Sequence, residues 1–319
     1  MASERATLVL GGAALGAVSY AAYQKLTLKK PTTLKPTVVN TQPSPQPSPN
    51  TFEKARSILP FGFPGPVNDV IYRNAYVTSY NRRDRNPNWV AEHLTAESLK
   101  RGADVDRQKS TFKEDDHIPE KFRAKLNDYF KSGFDRGHMV PAADTKNSQL
   151  SMNETFYLTN IAPQVGQGFN RDYWAYVEHF CRQLTQKFKD VYIFTGPLYL
   201  PYQDPSDGKF YIKYQVIGNP APNVAVPTHF YKVIMTQDNQ GHYSVGAFVL
   251  PNQPIPDETP LTQFQVPLDA VERGSGLVFF EKLGEETKRR LPDLCRQTEC
   301  KVVIRKFNDA AAQKQLPAK

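Results

Sequence analysis

Asp135-Arg136-Gly137-His138 is followed along the chain by Asn170-Arg171-Asp172-Tyr173-Trp174 and then by Glu178. A neutral imidazole can take a proton from water near neutral pH, an asparagine oxygen suits a hard cation, and a carboxylate can orient coordinated water. Brought together by a short hairpin and a helix, these groups would hold one hydrated Mg²⁺ against a phosphodiester and generate the attacking hydroxide. The pattern predicts phosphodiester hydrolysis.

The elements that must position these groups can be read from periodicity. Trp174, Val177, Cys181, Leu184 and Phe188 recur at helical spacing, so Asp172–Phe188 reads as a helix whose inward stripe is core. Asn170 stands just before it, where an asparagine often caps a helix, and Glu178 falls beside the buried edge. About eight helical residues put the two roughly 12 Å apart along the axis. Asn170 is therefore expected to ligate directly and Glu178 to act through coordinated water.

β-Branched and aromatic runs at Ala75–Tyr80, Trp89–Leu94, Phe156–Asn160, Val191–Thr195, Phe210–Ile217, His229–Met235, Tyr243–Leu250 and Val302–Phe307 read as strands. Further helical patterns lie at Pro119–Tyr129, Leu268–Glu272 and Gly284–Cys295. Turn residues rather than regular helices separate the strands, which predicts an α+β fold: a mostly antiparallel sheet with packed helices.

The 319 residues suffice for one catalytic domain with appendages, and the formal charge of +8 favours a polyanionic partner without specifying one. Ala6–Tyr23 is uncharged and apolar, flanked by Arg5 and by Lys25, Lys29 and Lys30. As a helix it would be about 27 Å long, enough to span a bilayer barely. Residues 1–30 are read as a mitochondrial targeting segment that doubles as an inner-membrane anchor, facing the intermembrane space, with secretion as the alternative. Prolines 31, 36, 43, 45, 47 and 49 make residues 31–59 a linker, residues 60–307 the folded domain, and 308–319 a tail. Cys181, Cys295 and Cys300 fit no zinc or redox pair and read as structural or free thiols, with a Cys295–Cys300 disulfide as the alternative in an oxidising compartment. His93, His117, His179, His229 and His242 show no zinc spacing.

Phe134-Asp135-Arg136-Gly137-His138, Thr155 through Gln164, and Phe169-Asn170-Arg171-Asp172-Tyr173-Trp174 with Glu178 resemble the DNA/RNA non-specific endonuclease family, most nearly its fungal mitochondrial branch. Trp89–Thr95, Thr195-Gly196-Pro197-Leu198 and Ala225–Lys232 extend the match over roughly residues 60–307. The resemblance implies a ββα-metal catalytic element that cuts DNA and RNA, leaves 5′-phosphate and 3′-hydroxyl ends, and works as a homodimer. It makes His138 the general base, Asn170 the direct ligand of Mg²⁺ (Mn²⁺ as an alternative), and Glu178 the residue that orients metal-bound water. Arg107 would pair with the scissile phosphate, with Arg101 and Lys109 as alternatives. Asn160 would support the site's hydrogen bonding, and Asp135 and Arg136 would contact substrate or pair with each other.

Bland readings accompany each residue. His138 could be a core histidine, Asn170 only a helix cap, and Glu178 a surface partner for Arg182. Tyr80, Arg82, Arg83 and Arg85 form a basic stretch that could follow a nucleic-acid backbone or be a solvated charge run. A site that grips phosphate and reads no base edges predicts little sequence preference and strong inhibition by salt.

Overall fold

The computed structural model describes residues 49–65 and 68–304; the expected leader and the 308–319 tail lie outside them. Helix α1 (Pro49–Ile58) falls inside the stretch expected to be linker. It packs on the first sheet strands, and Ile58 and Leu59 at its end are buried with Trp89, Phe194 and Phe280. The folded unit thus starts earlier than proline content suggested, because two apolar residues suffice to dock the turn that precedes them.

Three strands follow, β1 (Val70–Tyr72), β2 (Tyr76–Asn81) and β3 (Asn86–Leu94). Next come the short helix α2 (Leu126–Tyr129), the hairpin strand β4 (Asp135–His138), helix α3 (Gln149–Glu154), the second hairpin strand β5 (Ile161–Gln164) and the long helix α4 (Tyr173–Leu184). Strand β6 (Asp190–Leu198) returns to the sheet. Beyond it lie β7 (Tyr202–Gln203), β8 (Phe210–Tyr211), β9 (Val216–Ile217), β10 (Val224–Ala225), β11 (His229–Gln237), β12 (Tyr243–Pro251) and β13 (Gln265–Val266). Helix α5 spans Leu268–Ser275, with shorter turns after it.

The main sheet runs β1-β2-β3-β6-β11-β12-β13, and every neighbouring pair is antiparallel. This is the expected α+β class. Alternation along each strand gives the sheet two apolar faces. Val90, Leu94, Val191, Ile193, Phe230 and Ile234 meet α4 on one face. Trp89, Ala91, Phe194, Tyr231 and Val233 meet Phe279 and Phe280 on the other. β3 and β6 are hydrogen-bonded neighbours, yet the whole segment 95–189 intervenes between them. Every predicted site residue lies in that excursion.

Several expected elements differ. Phe156–Asn160 ends in a 3₁₀ turn, Leu158–Asn160, because the Asn160 side chain is spent on backbone groups and the strand begins only at Ile161. Phe210–Ile217 resolves into two two-residue strands of separate ribbons. Pro119–Tyr129 breaks into a 3₁₀ turn and α2 with Arg123 and Lys125 extended between them, and Gly284–Cys295 breaks into two short helices on either side of Pro292. The strand expected at Val302–Phe307 is absent over 302–304, and the rest of it is outside the described residues. Cys295 and Cys300 form a disulfide, Cα–Cα 5.2 Å apart, so these two are not free thiols; Cys181 stays a buried thiol. A spacing that fits no metal motif leaves a five-residue disulfide loop open, and the turn at Leu294–Gln297 closes it.

Candidate active site

Strands β4 and β5 pair Asp135 with Gln164, Arg136 with Pro163, Gly137 with Ala162 and His138 with Ile161. Gly137 is required by close approach: a Cβ there would sit 2.0 Å from the Gln164 Oε1 atom that lies across it. The chain leaving His138 is clamped by Asn160, whose Oδ1 accepts from the Val140 N–H at 3.0 Å. Its Nδ2 donates to Val140 O at 3.0 Å and to Thr155 O at 2.8 Å. Asn160 is fully buried. It was expected among the catalytic residues as a support for the site's hydrogen bonding; its carboxamide is engaged with backbone groups of the segment that follows His138.

His138 stands between two phenylalanine rings, 5.4 Å from Phe112 and 4.8 Å from Phe156 between centroids. Its Nε2 is sealed from solvent and has no hydrogen-bond partner. The guanidinium of Arg136 lies 4.2 Å over the Phe112 ring and that of Arg107 lies 5.4 Å over Phe156. Burial, then the cations of Arg107 and Arg136, hold the imidazole down, to about 3. Among the described residues neither arginine is in an ion pair, whereas the alternative Arg101 is tied to the Val105 carbonyl. Phe112 and Phe156 were not singled out from sequence; only a structure shows which aromatic side chains flank a histidine.

Asn170 closes a wide turn, Gly166–Asn170, in which Gly168 takes φ +79. It is not the helix cap: Asp172 occupies that place, and α4 begins at Tyr173. Asn170 Nδ2 instead donates to Asp135 Oδ2 at 2.8 Å, and Arg171 holds the same carboxylate with bonds of 2.7 and 2.6 Å. Asp135, expected to contact substrate or to pair with Arg136, pairs with Arg171 and holds the turn. Its pairing with Arg171 leaves Arg136 free and leaves the Asn170 Oδ1 without a donor. A carboxamide pinned through its nitrogen and open at its oxygen fits a hard, oxygen-seeking cation such as Mg²⁺.

Glu178 lies about a turn and a half into α4, half-buried. Burial pushes its carboxyl up to about 7 against the pull of Lys232 and Arg182; Asp144 adds to the rise and the Arg107 cation opposes it. Arg182 is engaged elsewhere, 2.5 Å from Asp144, so the simple Glu178–Arg182 pairing is not formed. Arg107 thus links His138 and Glu178 electrostatically, while Asn170 joins through Asp135 at the start of the histidine strand.

Other expected features resolve otherwise. Arg82 pairs with Asp69 and Arg83 with Asp84, while Arg85 donates to the carbonyls of Arg123 and Lys121, so two arginines of the basic stretch are ion-paired within the protein and the third is held by backbone. Among the described residues, Asp115, Asp116 and His117 bring ligand atoms within 4.8 Å of one another, a grouping that could hold a metal ion. Asp115, however, is buried and already accepts from Arg73, Thr159 and His117, which makes it a structural hub.

The sequence profile of the DNA/RNA non-specific endonuclease family matches residues 54–286. The chain belongs to this family. A mitochondrial nuclease of Saccharomyces cerevisiae is 48% identical, with 98% of this chain and 96% of the relative aligned. A mitochondrial endonuclease G of Caenorhabditis elegans is 45% identical over 81% of each chain. A solved structure described as the EndoG/EndoGI complex, bearing on the mechanism of EndoG inhibition, is 49% identical with a TM-score of 0.70, covering 73% of this chain and 93% of that one. The nuclease is thus a DNA/RNA non-specific endonuclease of the fungal mitochondrial type expected from sequence, and the expected mitochondrial address agrees with the relatives' names.

Proposed function

We propose that the nuclease hydrolyses phosphodiesters with His138 as general base, Arg107 and Arg136 as phosphate receivers, and Glu178 orienting the water. The observation that carries this reading is the unpaired state of the two arginines on either side of His138. Two guanidinium groups outside any ion pair, beside a neutral imidazole, form a seat for an anion. With Nε2 sealed inside, Nδ1 is the ring nitrogen that can meet water and take its proton. Phosphate entering between the arginines would cancel the charge that depresses the imidazole and raise its basicity as substrate binds.

Asn170 Oδ1 would hold Mg²⁺, with Mn²⁺ as the alternative. When bound, the ion supplies charge stabilisation at phosphorus and at the leaving 3′-oxygen, giving 5′-phosphate and 3′-hydroxyl ends. Nothing in this seat reads a base edge, which supports cleavage of DNA and RNA alike.

We read the assembly as a homodimer, as the family resemblance implies. The exposed side chains of Tyr202, Phe210, Tyr211 and Ile212 on the β7–β8 ribbon support an apolar contact there. Sedimentation that returns a single-chain mass at micromolar concentration would contradict it. Residues 1–30 are proposed as the mitochondrial inner-membrane anchor, and residues 31–48 as its linker; recovery of the full chain in the medium instead would favour secretion.

The decisive test of activity is incubation with supercoiled plasmid and with RNA, with Mg²⁺ or EDTA. Nicking and RNA breakdown are expected only with the metal. Undiminished cleavage in EDTA would remove Asn170 from the account.

A further inference from the structure

Beneath the face of α4 that carries Glu178, the sheet presents a layer of buried polar groups that none of the roles above uses. Thr195 and Lys232 are register partners on β6 and β11, and Glu92 lies on β3, the other neighbour of β6. All three point to the face that α4 covers, since they alternate with Ile193, Phe230, Ile234, Val90 and Leu94 of that core. Lys232 is 1% exposed; its Nζ donates to Thr195 Oγ1 at 2.9 Å and stands 5.0 Å from the Trp174 ring centroid. Trp174 and Glu178 are four residues apart on α4, hence neighbours on one helix face. The next position of that row, Arg182, is anchored to Asp144.

An ammonium has three donors, and Thr195 takes one. A buried cation with two uncommitted N–H groups requires nearby negative charge. Two carboxylates supply it. Glu92 is 2% exposed with neither oxygen hydrogen-bonded, and Glu178 lies one helical turn beyond the ring that Lys232 touches. Of the charges around Glu178, Lys232 pulls hardest towards the ionised form.

We propose that Lys232 is a positioning residue for Glu178: from the sheet beneath α4 its ammonium fixes where the Glu178 carboxylate sits, with Glu92 as its second counterion. This rests on the water-orienting role of Glu178 proposed above. Lys232 touches no reacting atom, so its effect must pass through Glu178 and vanish when that carboxylate is gone.

The test is a double-mutant cycle of Lys232→Met and Glu178→Gln on the full-length chain, made in a Glu92→Gln background so that removing the ammonium leaves no orphaned buried carboxylate. Turnover and KM for plasmid are measured at saturating Mg²⁺. Lys232→Met is expected to lower kcat on the order of ten- to hundredfold with KM within about threefold, and to have less than about a twofold effect once Glu178 is Gln. Equal losses in both backgrounds, or no loss in either, would overturn the proposal. Failure of the Glu92→Gln/Lys232→Met chain to melt cooperatively would also overturn it, by assigning Lys232 to the fold alone. If Glu178→Gln by itself leaves kcat unchanged, the role of Glu178 is wrong, and the positioning proposal falls with it.

Discussion

Asp135 takes the Nδ2–H of Asn170 at 2.8 Å and so decides which end of that carboxamide is open. The same carboxylate is held by Arg171, so the wide turn before α4 and the strand that ends in His138 are locked together at one point. A single acid thus fixes both the carboxamide proposed to hold the metal and the start of the strand that carries the proposed base.

Asp135→Asn should therefore weaken metal use before it weakens the fold. An amide there loses the Arg171 ion pair and can present its own N–H to Asn170. The Mg²⁺ concentration for half-maximal cleavage is expected to rise on the order of ten- to hundredfold. A Mg²⁺ titration indistinguishable from that of the parent would show that the Asn170 side chain needs no such tether.

Asn160→Ala should act through stability. Three hydrogen bonds to buried backbone are lost and the chain after His138 is released. A loss of about 2–4 kcal/mol is expected in urea unfolding. A loss below about 0.5 kcal/mol would mean that other contacts hold Met139 and Val140.

Opposite pH slopes are expected from the two titrating groups. Glu178 is raised from 4.5 to about 7 in the folded chain, so its contribution is fully present below 4.5 and disappears as pH rises through 7. His138 is lowered from 6.5 to about 3, so it costs stability as pH falls from 6.5 towards 3. Glu178→Gln should gain on the parent by about 1–3 kcal/mol between pH 5 and pH 8. A constant difference between the two melting curves across that range would contradict the buried, ionisable setting of Glu178.

How much of this was legible depends on the kind of signal. The α4 stripe and the long strands were, because burial imposes a period on Trp174, Val177 and Cys181 and on the alternating residues of β3, β6 and β11. His138, Asn170, Arg107, Arg136 and Glu178 were candidates through residue type and motif. What each one touches was not: Asp135 looks like a substrate or salt-bridge residue until the Gly166–Asn170 turn folds back onto it. The three backbone hydrogen bonds of Asn160 likewise depend on the folded chain and leave no mark in the sequence. Asn170 resembles a cap because the turn that displaces it depends on a glycine at positive φ, which carries no periodic signature. The Cys295–Cys300 disulfide depends on a turn between the two cysteines that their spacing alone does not encode.

The proposed hydrolysis depends most on His138 accepting the proton from water. Single-turnover cleavage of plasmid by His138→Ala at saturating Mg²⁺ measures this directly, with nucleic-acid affinity measured alongside in Ca²⁺. A fall in rate of at least about a hundredfold is expected, with affinity within about threefold, since general-base loss costs the reaction and Arg107 and Arg136 still grip the phosphate. A rate within about tenfold of the parent would contradict the mechanism.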